Sequence, residues 1–186
     1  MKVEATRLPG VLVIEPEAFG DARGFLMETY RESRYREAGI SVAFVQDNLS
    51  RSQHGVLRGL HLQFPSLQAK LVGVLQGAVF DVAVDVRRGS PSFGRWFGTE
   101  LSADNRRQLF IPEGFAHGFC VTSDSALFAY KCSSDYAPDG QVSVLWNDPD
   151  LGIDWPLAEP VLADKDRVAP VLSQVDPSLL PKYAGD

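Results

Sequence analysis

The sequence predicts an all-β fold, a sandwich or barrel of short strands, and three features carry that prediction. Apolar and polar residues alternate over runs of strand length, turn-forming residues separate those runs at close intervals, and helical periodicity is nearly missing. In chain order the runs are Val11–Glu15, Phe25–Thr29, Phe44–Ser50, Gly55–Phe64, Lys70–Leu75, Val79–Val86, Arg95–Leu101, Arg107–Ile111, Gly118–Thr122, Ala126–Cys132 and Val142–Trp146. Between them stand residues that stop a strand: Gly77, Gly89-Ser90-Pro91, Asp104-Asn105, Pro112 with Gly114, Ser123 to Ser125, and Pro138 with Gly140. Only Arg31–Ala38 has helical spacing, and Gly39 ends it. From about residue 150 the chain turns to Pro, Asp and short Leu/Val pieces, expected to pack as irregular structure and short helices against the sheet.

With 186 residues the chain is long enough to bury a sizeable core and is expected to form one domain. Hydrophobic residues make up 45% and charged residues 23%, ordinary for a soluble globular protein. The net charge of -6, with no basic stripe, argues against nucleic acid as a partner. No run approaches the roughly 20 apolar residues of a membrane span. The opening MKVEATRLPG has acids and a proline where a signal peptide needs an apolar stretch, so a cytoplasmic protein without a membrane partner is expected. Cys120 and Cys132 lack the spacing of a zinc or redox pair and read as small buried thiols.

Side-chain parity adds detail. In Val79–Val86, Phe80, Val82, Val84 and Val86 share one face, expected to be packed. Asp81, Ala83 and Asp85 share the other, which must meet water or line a polar cavity. The run Gly55–Phe64 places Arg58 and His61 inside apolar surroundings, either in a cavity or at a wet edge. These two positions fall on opposite faces of a regular strand. If both line one pocket, a bulge or twist near Gly59 is expected.

The chain has three histidines, His54, His61 and His117. Pro112-Glu113-Gly114-Phe115-Ala116-His117 has the P-x-G-x-x-H form of the second motif of the cupin jelly roll. The first cupin motif supplies two more histidines and an acid for a metal, but here Gln63 follows His61 and Lys70 stands where the acid belongs. Two histidines and a lysine make a poor metal set, so no metal and no cofactor is expected. A polar cavity lined by Arg58, His61, Lys70, Asp81, His117 and Tyr130 is the alternative. An imidazole suits proton abstraction near neutrality, a cation can stabilise an enolate, and a phenol can return a proton. That is equipment for chemistry α to a carbonyl, and the side chains alone go no further.

VLRGLHLQ, QAKLVGVLQGAVFDVAVDVRRGSPSFGRW, LSADNRRQLFIPEGFAHGF, YKCSSDYAPD and WNDPDLGIDWPL together resemble the dTDP-4-dehydrorhamnose 3,5-epimerase family, over about Leu8 to Pro170. The resemblance implies a homodimeric cupin that inverts C3 and C5 of dTDP-4-dehydro-6-deoxyglucose. It implies His61 as the base, Asp166 as the acid that orients His61, Tyr130 as the opposed proton donor and Lys70 as the cation beside the enolate oxygen. Asp81 is expected to hold Lys70 in place. Substrate contacts carry over to Arg23, Glu28, Gln46, Asn48, Arg58, His117, Tyr136 and Lys165. Tyr136 would stack on thymine and Arg58 would meet the diphosphate. Arg23 and Glu28 would reach the partner's pocket from the N-terminal segment.

Leu62 replaces an aromatic residue common in the family, the loop Pro65 to Gln68 is about one residue short, and Gln141 stands where an acid is usual. Taken singly, the residues also have plain structural readings. Arg58 and Lys70 could guard a strand edge, Tyr130 could be a core aromatic, His117 could anchor a turn, and His54 belongs in an exposed turn. The rival activities are a C5-only or C3-only epimerase, a sugar-nucleotide 3,4-ketoisomerase, a non-catalytic binding cupin and a metallocupin oxygenase.

Overall fold

The structure, a computed structural model, describes residues 1–185. In chain order its elements are β1 (Lys2–Ala5), β2 (Leu12–Glu15), β3 (Ala18–Asp21), β4 (Gly24–Met27), α1 (Glu32–Glu37), β5 (Gln46–Gln53), β6 (Leu57–Gln63), β7 (Lys70–Gln76) and β8 (Ala78–Asp85). There follow β9 (Trp96–Ser102), β10 (Gln108–Ile111), β11 (Phe115–Val121), β12 (Ser125–Cys132), β13 (Gln141–Ser143) and α2 (Asp164–Arg167). Six strands form one sheet in the order β1-β2-β10-β7-β12-β5, and five form a second in the order β13-β6-β11-β8-β9. β3 and β4 pair only with each other. Every strand pair is antiparallel. From β5 to β13 the chain changes sheet at every step except β8 to β9. That is the jelly-roll arrangement of the cupins.

Alternation along the strands sorts the apolar residues into three layers. Val72 and Val74 of β7, Phe128 of β12, Val79 and Ala83 of β8, and Phe115 and Phe119 of β11 pack between the sheets. Val82, Val84 and Val86 point the other way and are covered by Leu151, Leu172, Val175 and Leu180 of the C-terminal segment. On the far side of the six-stranded sheet, Leu71 and Phe110 are covered by Tyr35 of α1 and by Ile40. Each such apolar side chain is stabilised by about 1.5–3 kcal/mol on burial, so the layers rather than the polar interior hold the sheets together. The expected packed face of β8 is therefore right. Its acidic face meets no water: Asp81 and Asp85 are fully buried.

Two strands escape the sequence pattern. β1 alternates charges with Val3 and is tied down only by pairing with β2. β3 is glycine- and acid-containing and exists as half of the exposed β3–β4 hairpin. The expected strand Val142–Trp146 contracts to β13, because beyond Ser143 the chain leaves the sheet while Leu60 and Val144 still exchange backbone hydrogen bonds.

Of the bulge or twist expected near Gly59, the structure shows a bulge. His61 pairs with His117 and Arg58 with Phe119, so β6 advances three residues while β11 advances two. Gly59 has φ +131°, and a Cβ there would stand 2.5 Å from Gly118 Cα and 2.9 Å from the His117 carbonyl oxygen. Only paired glycines let the two backbones approach this closely. Gly59→Ala should lower stability by about 3 kcal/mol or more. Gly89→Ala, at φ +83° with open space around it, should lose only about 1 kcal/mol. Urea unfolding midpoints of the two variants check the contrast.

Candidate active site

Between the two sheets, beside α2, lies a cavity of about 620 Å³, within the range of ligand sites. Its two walls are the inward faces of the sheets. From the six-stranded sheet come Gln46, Asn48 and Ser50 of β5, Lys70 of β7, and Phe128, Tyr130 and Cys132 of β12. All are even-numbered, as period-two alternation requires. From the five-stranded sheet come Arg58, His61 and Gln63 of β6 and His117 and Phe119 of β11. Arg58 and His61 share the cavity because of the Gly59 bulge. His61 and Tyr130 thus line one chamber from opposed sheets.

His61 is about one-quarter exposed, at 26%, and its Nε2 lies 2.6 Å from Oδ1 of the buried Asp166 in α2. The other Asp166 oxygen accepts from the Gly59 N–H at 3.4 Å. Burial pushes the Asp166 carboxyl up, but the hydrogen bond and charge of His61, with Gly59 and Lys165, outweigh it and hold the group below the usual carboxylate range. Asp166 therefore stays ionised and accepts from His61 Nε2–H. This leaves Nδ1, which makes no hydrogen bond among the described residues, with its lone pair free. Opposite, burial lifts the Tyr130 phenol above its ordinary value; Cys132 adds to the rise and Arg58 opposes it. Tyr130 is thus protonated at neutral pH, and a cation stands near to accept the phenolate it would leave.

The expected Asp81–Lys70 contact is not the one formed. Both carboxylate oxygens of Asp81 take His117 Nε2, at 2.9 and 3.1 Å, and among the described residues Lys70 makes no ion pair. The reason is register: His117 on β11 and Asp81 on neighbouring β8 are close in the same sheet, whereas Lys70 comes from the facing one. Burial raises the Asp81 carboxyl, against the pull of His117 and Lys70, and burial lowers the Lys70 ammonium, against Cys132 and Asp81. Lys70 still lines the cavity, as an enclosed cation whose Nζ is unclaimed. The His117 ring also stacks on Phe128, with centroids 6.1 Å apart.

Arg58 reaches the cavity with its Nε donating to Ser52 Oγ at 3.1 Å. Tyr136 stands at the mouth, 55% exposed, and Lys165 of α2 faces it. Arg23 and Glu28 lie elsewhere: Arg23 pairs with Asp21 on the exposed β3–β4 hairpin, and Glu28 pairs with Arg34. Within one chain neither lines the cavity. Ser50, Ser52, Gln63, Gln68 and Gln141 were not singled out as site residues, yet Ser50 and the three glutamines line the cavity and Ser52 holds Arg58. The parity of β5 could have found both serines, which share the face of Gln46 and Asn48. His54 is exposed, as expected, with its Nδ1 3.1 Å from the Ser123 carbonyl oxygen. Among the described residues no three His, Cys, Asp or Glu side chains gather as a metal would require, and no helix is long and apolar enough to cross a membrane.

A cupin jelly roll with a chamber that carries an Asp-oriented imidazole on one wall and a protonated phenol on the other has the equipment for acid–base chemistry on two faces of a ligand. The chain belongs to the dTDP-4-dehydrorhamnose 3,5-epimerase family, whose model matches residues 5–174. It is 52% identical over 178 residues to a dTDP-4-dehydrorhamnose 3,5-epimerase of Pseudomonas aeruginosa, covering 95% of this chain and 98% of that one. A dTDP-6-deoxy-D-glucose-3,5-epimerase of Legionella pneumophila, solved in complex with dTDP-4-keto-L-rhamnose, superposes with a TM-score of 0.97 at 53% identity, covering 99% of both chains. A dTDP-4-dehydrorhamnose 3-epimerase of Streptomyces niveus is 43% identical over 187 residues, covering 99% of this chain and 90% of that one.

Because the Asp166 carboxyl is held below its ordinary value of 3.8, its pairing with His61 stabilises the fold above that pH and is lost as the pH falls through the lowered value. Asp166→Asn should therefore be less stable than the native chain at neutral pH. The gap should narrow as the pH drops below 3.8, which melting temperatures across a pH series measure.

Proposed function

We propose that this chain is an epimerase that inverts C3 and C5 of dTDP-4-dehydro-6-deoxy-D-glucose, giving dTDP-4-dehydro-L-rhamnose, with its own side chains as acid and base. The observation that carries the reading is the opposition of His61 and Tyr130 across one cavity. The C4 ketone makes the hydrogens on C3 and C5 acidic. His61 Nδ1 takes one of them, and the imidazolium formed is stabilised by Asp166. The electron pair moves to O4 as an enolate, beside the Lys70 ammonium. Tyr130 then delivers its proton to the opposite face of the same carbon and is left as a phenolate facing Arg58. Exchange with water restores both groups, and a second round at the other carbon completes the change. Preorganised charge at the enolate oxygen and positioned proton transfer are the two sources of rate, the latter worth about 10²–10⁴-fold.

The remaining residues hold the substrate. Arg58 and Lys165 suit the diphosphate, Arg58 as a planar fork that stays charged. Tyr136 offers a flat face for thymine at the mouth. Gln46, Asn48 and His117 line the chamber with donors and acceptors for the sugar. We assign the chain to a single catalytic domain that works as a homodimer. The exposed apolar side chains Phe25 and Leu26 of the hairpin, and Val45, Leu49 and Leu75 beside the outer face of the six-stranded sheet, support that assembly. So large an apolar surface needs cover. In a dimer the hairpin could carry Arg23 and Glu28 to the neighbouring cavity. The Streptomyces niveus relative keeps a C3-only reaction as the second reading.

Turnover of the 4-keto sugar in D2O tests these assignments. Deuterium at both C3 and C5, with both centres inverted, is expected; incorporation and inversion at one carbon alone would select the second reading. His61→Ala should lose exchange by about 10²–10⁴-fold. Tyr130→Phe should keep His61-driven exchange with retention while losing inversion by about 10²-fold or more. Sedimentation should give a dimer, and Leu49→Glu should shift it towards monomer.

A further inference from the structure

We propose that Gln141 is a specificity-determining residue, whose neutral amide docks Lys165 at the cavity mouth without cancelling its charge and so sets how strongly the cavity takes a diphosphate. The inference rests on the reading of the cavity as a dTDP-sugar site. Gln141 opens β13 directly after the tight turn Pro138–Gly140. Its single Oε1 accepts from two donors, the Tyr136 hydroxyl at 3.2 Å and the Lys165 ammonium at 3.2 Å. The donors come from separate parts of the chain, the loop after β12 and helix α2. That loop is itself fixed: Gln46 accepts from the Tyr136 N–H at 2.8 Å, and Gln63 accepts from the Ala137 N–H at 2.7 Å.

The charge of the cavity makes the neutrality of this amide matter. Among the described residues that line it, Asp166 is the only carboxylate, and His61 already occupies it. Arg58, Lys70 and Lys165 are the lining cations. A diphosphate needs such cations uncommitted. An ammonium held by an amide oxygen gives it up readily for a phosphate oxygen, because only the second bond joins two opposite charges. A glutamate of the same shape would place a full negative charge at the same atom, pair with Lys165 and repel the incoming anion.

Binding of dTDP to the full-length chain, measured by calorimetry, decides the matter. Gln141→Glu should weaken dTDP by about fivefold, the size of one partly exposed ion pair. In a Lys165→Met background the same change should matter by less than about twofold. Gln141→Met, which removes the acceptor of Lys165 and Tyr136 but adds no charge, should weaken dTDP by clearly less than Gln141→Glu does. The proposal is overturned if Gln141→Glu binds as tightly as the native chain, if its loss persists undiminished without Lys165, or if Gln141→Met loses as much. A native chain that bound no dTDP would instead overturn the reading of the cavity, and this inference with it.

Discussion

The close approach of β6 and β11 at Gly59 and Gly118 is the constraint on which the site depends. A regular strand would send Arg58 and His61 to opposite faces, one into the cavity and one under the C-terminal segment. The extra residue in β6 turns both inward and leaves the Gly59 N–H pointing at Asp166. The same backbone step thus aims the His61 imidazole, places the arginine and helps hold the Asp166 carboxylate. No side chain could stand at Gly59 without pushing the sheet apart, so the local geometry of the site is built into the sheet rather than added by a loop.

Around that frame, the buried acids Asp166 and Asp81 each have a histidine partner. Asp166 is matched to His61 and Asp81 to His117, each within one hydrogen bond. Two acids committed to two imidazoles leave the remaining cations of the chamber without internal partners to consume them. A buried carboxylate with no partner would be costly and would also repel an anionic ligand; paired, it does neither. The two walls differ in consequence. The His61 wall is built of hydrogen-bonded groups in fixed tautomers, and the Tyr130 wall of a neutral phenol set in aromatic packing.

Much of this was legible in the sequence because alternation is a strong signal where one face must be packed. Val82, Val84 and Val86 announced their layer, and the spacing of Arg58 and His61 pointed to a bulge or twist, of which the bulge is there. The motif ending in His117 pointed to the jelly roll. What stayed hidden was pairing between strands distant in sequence. Strand parity alone puts Asp81 with Lys70, but only the order of β11 beside β8 reveals His117 as its partner. The glutamines of the mouth were passed over for a similar reason: an amide carries no chemical signature in sequence, and its value lies in which donors the fold brings to it. β3 escaped because it pairs only with β4 in an exposed hairpin, so no core stamps a pattern on it.

The His61 imidazole and the Asp166 carboxylate that orients it lie 105 residues apart in the chain. Asp166 belongs to a segment whose later residues, Leu172, Val175 and Leu180, form the cover of the five-stranded sheet. During synthesis, therefore, a ribosome has displayed nearly the entire jelly roll before the imidazole acquires its tautomer. Products cut short before Asp166 would retain every strand yet leave the His61 imidazole without its carboxylate, so that pairing arrives last, together with the segment that covers the five-stranded sheet.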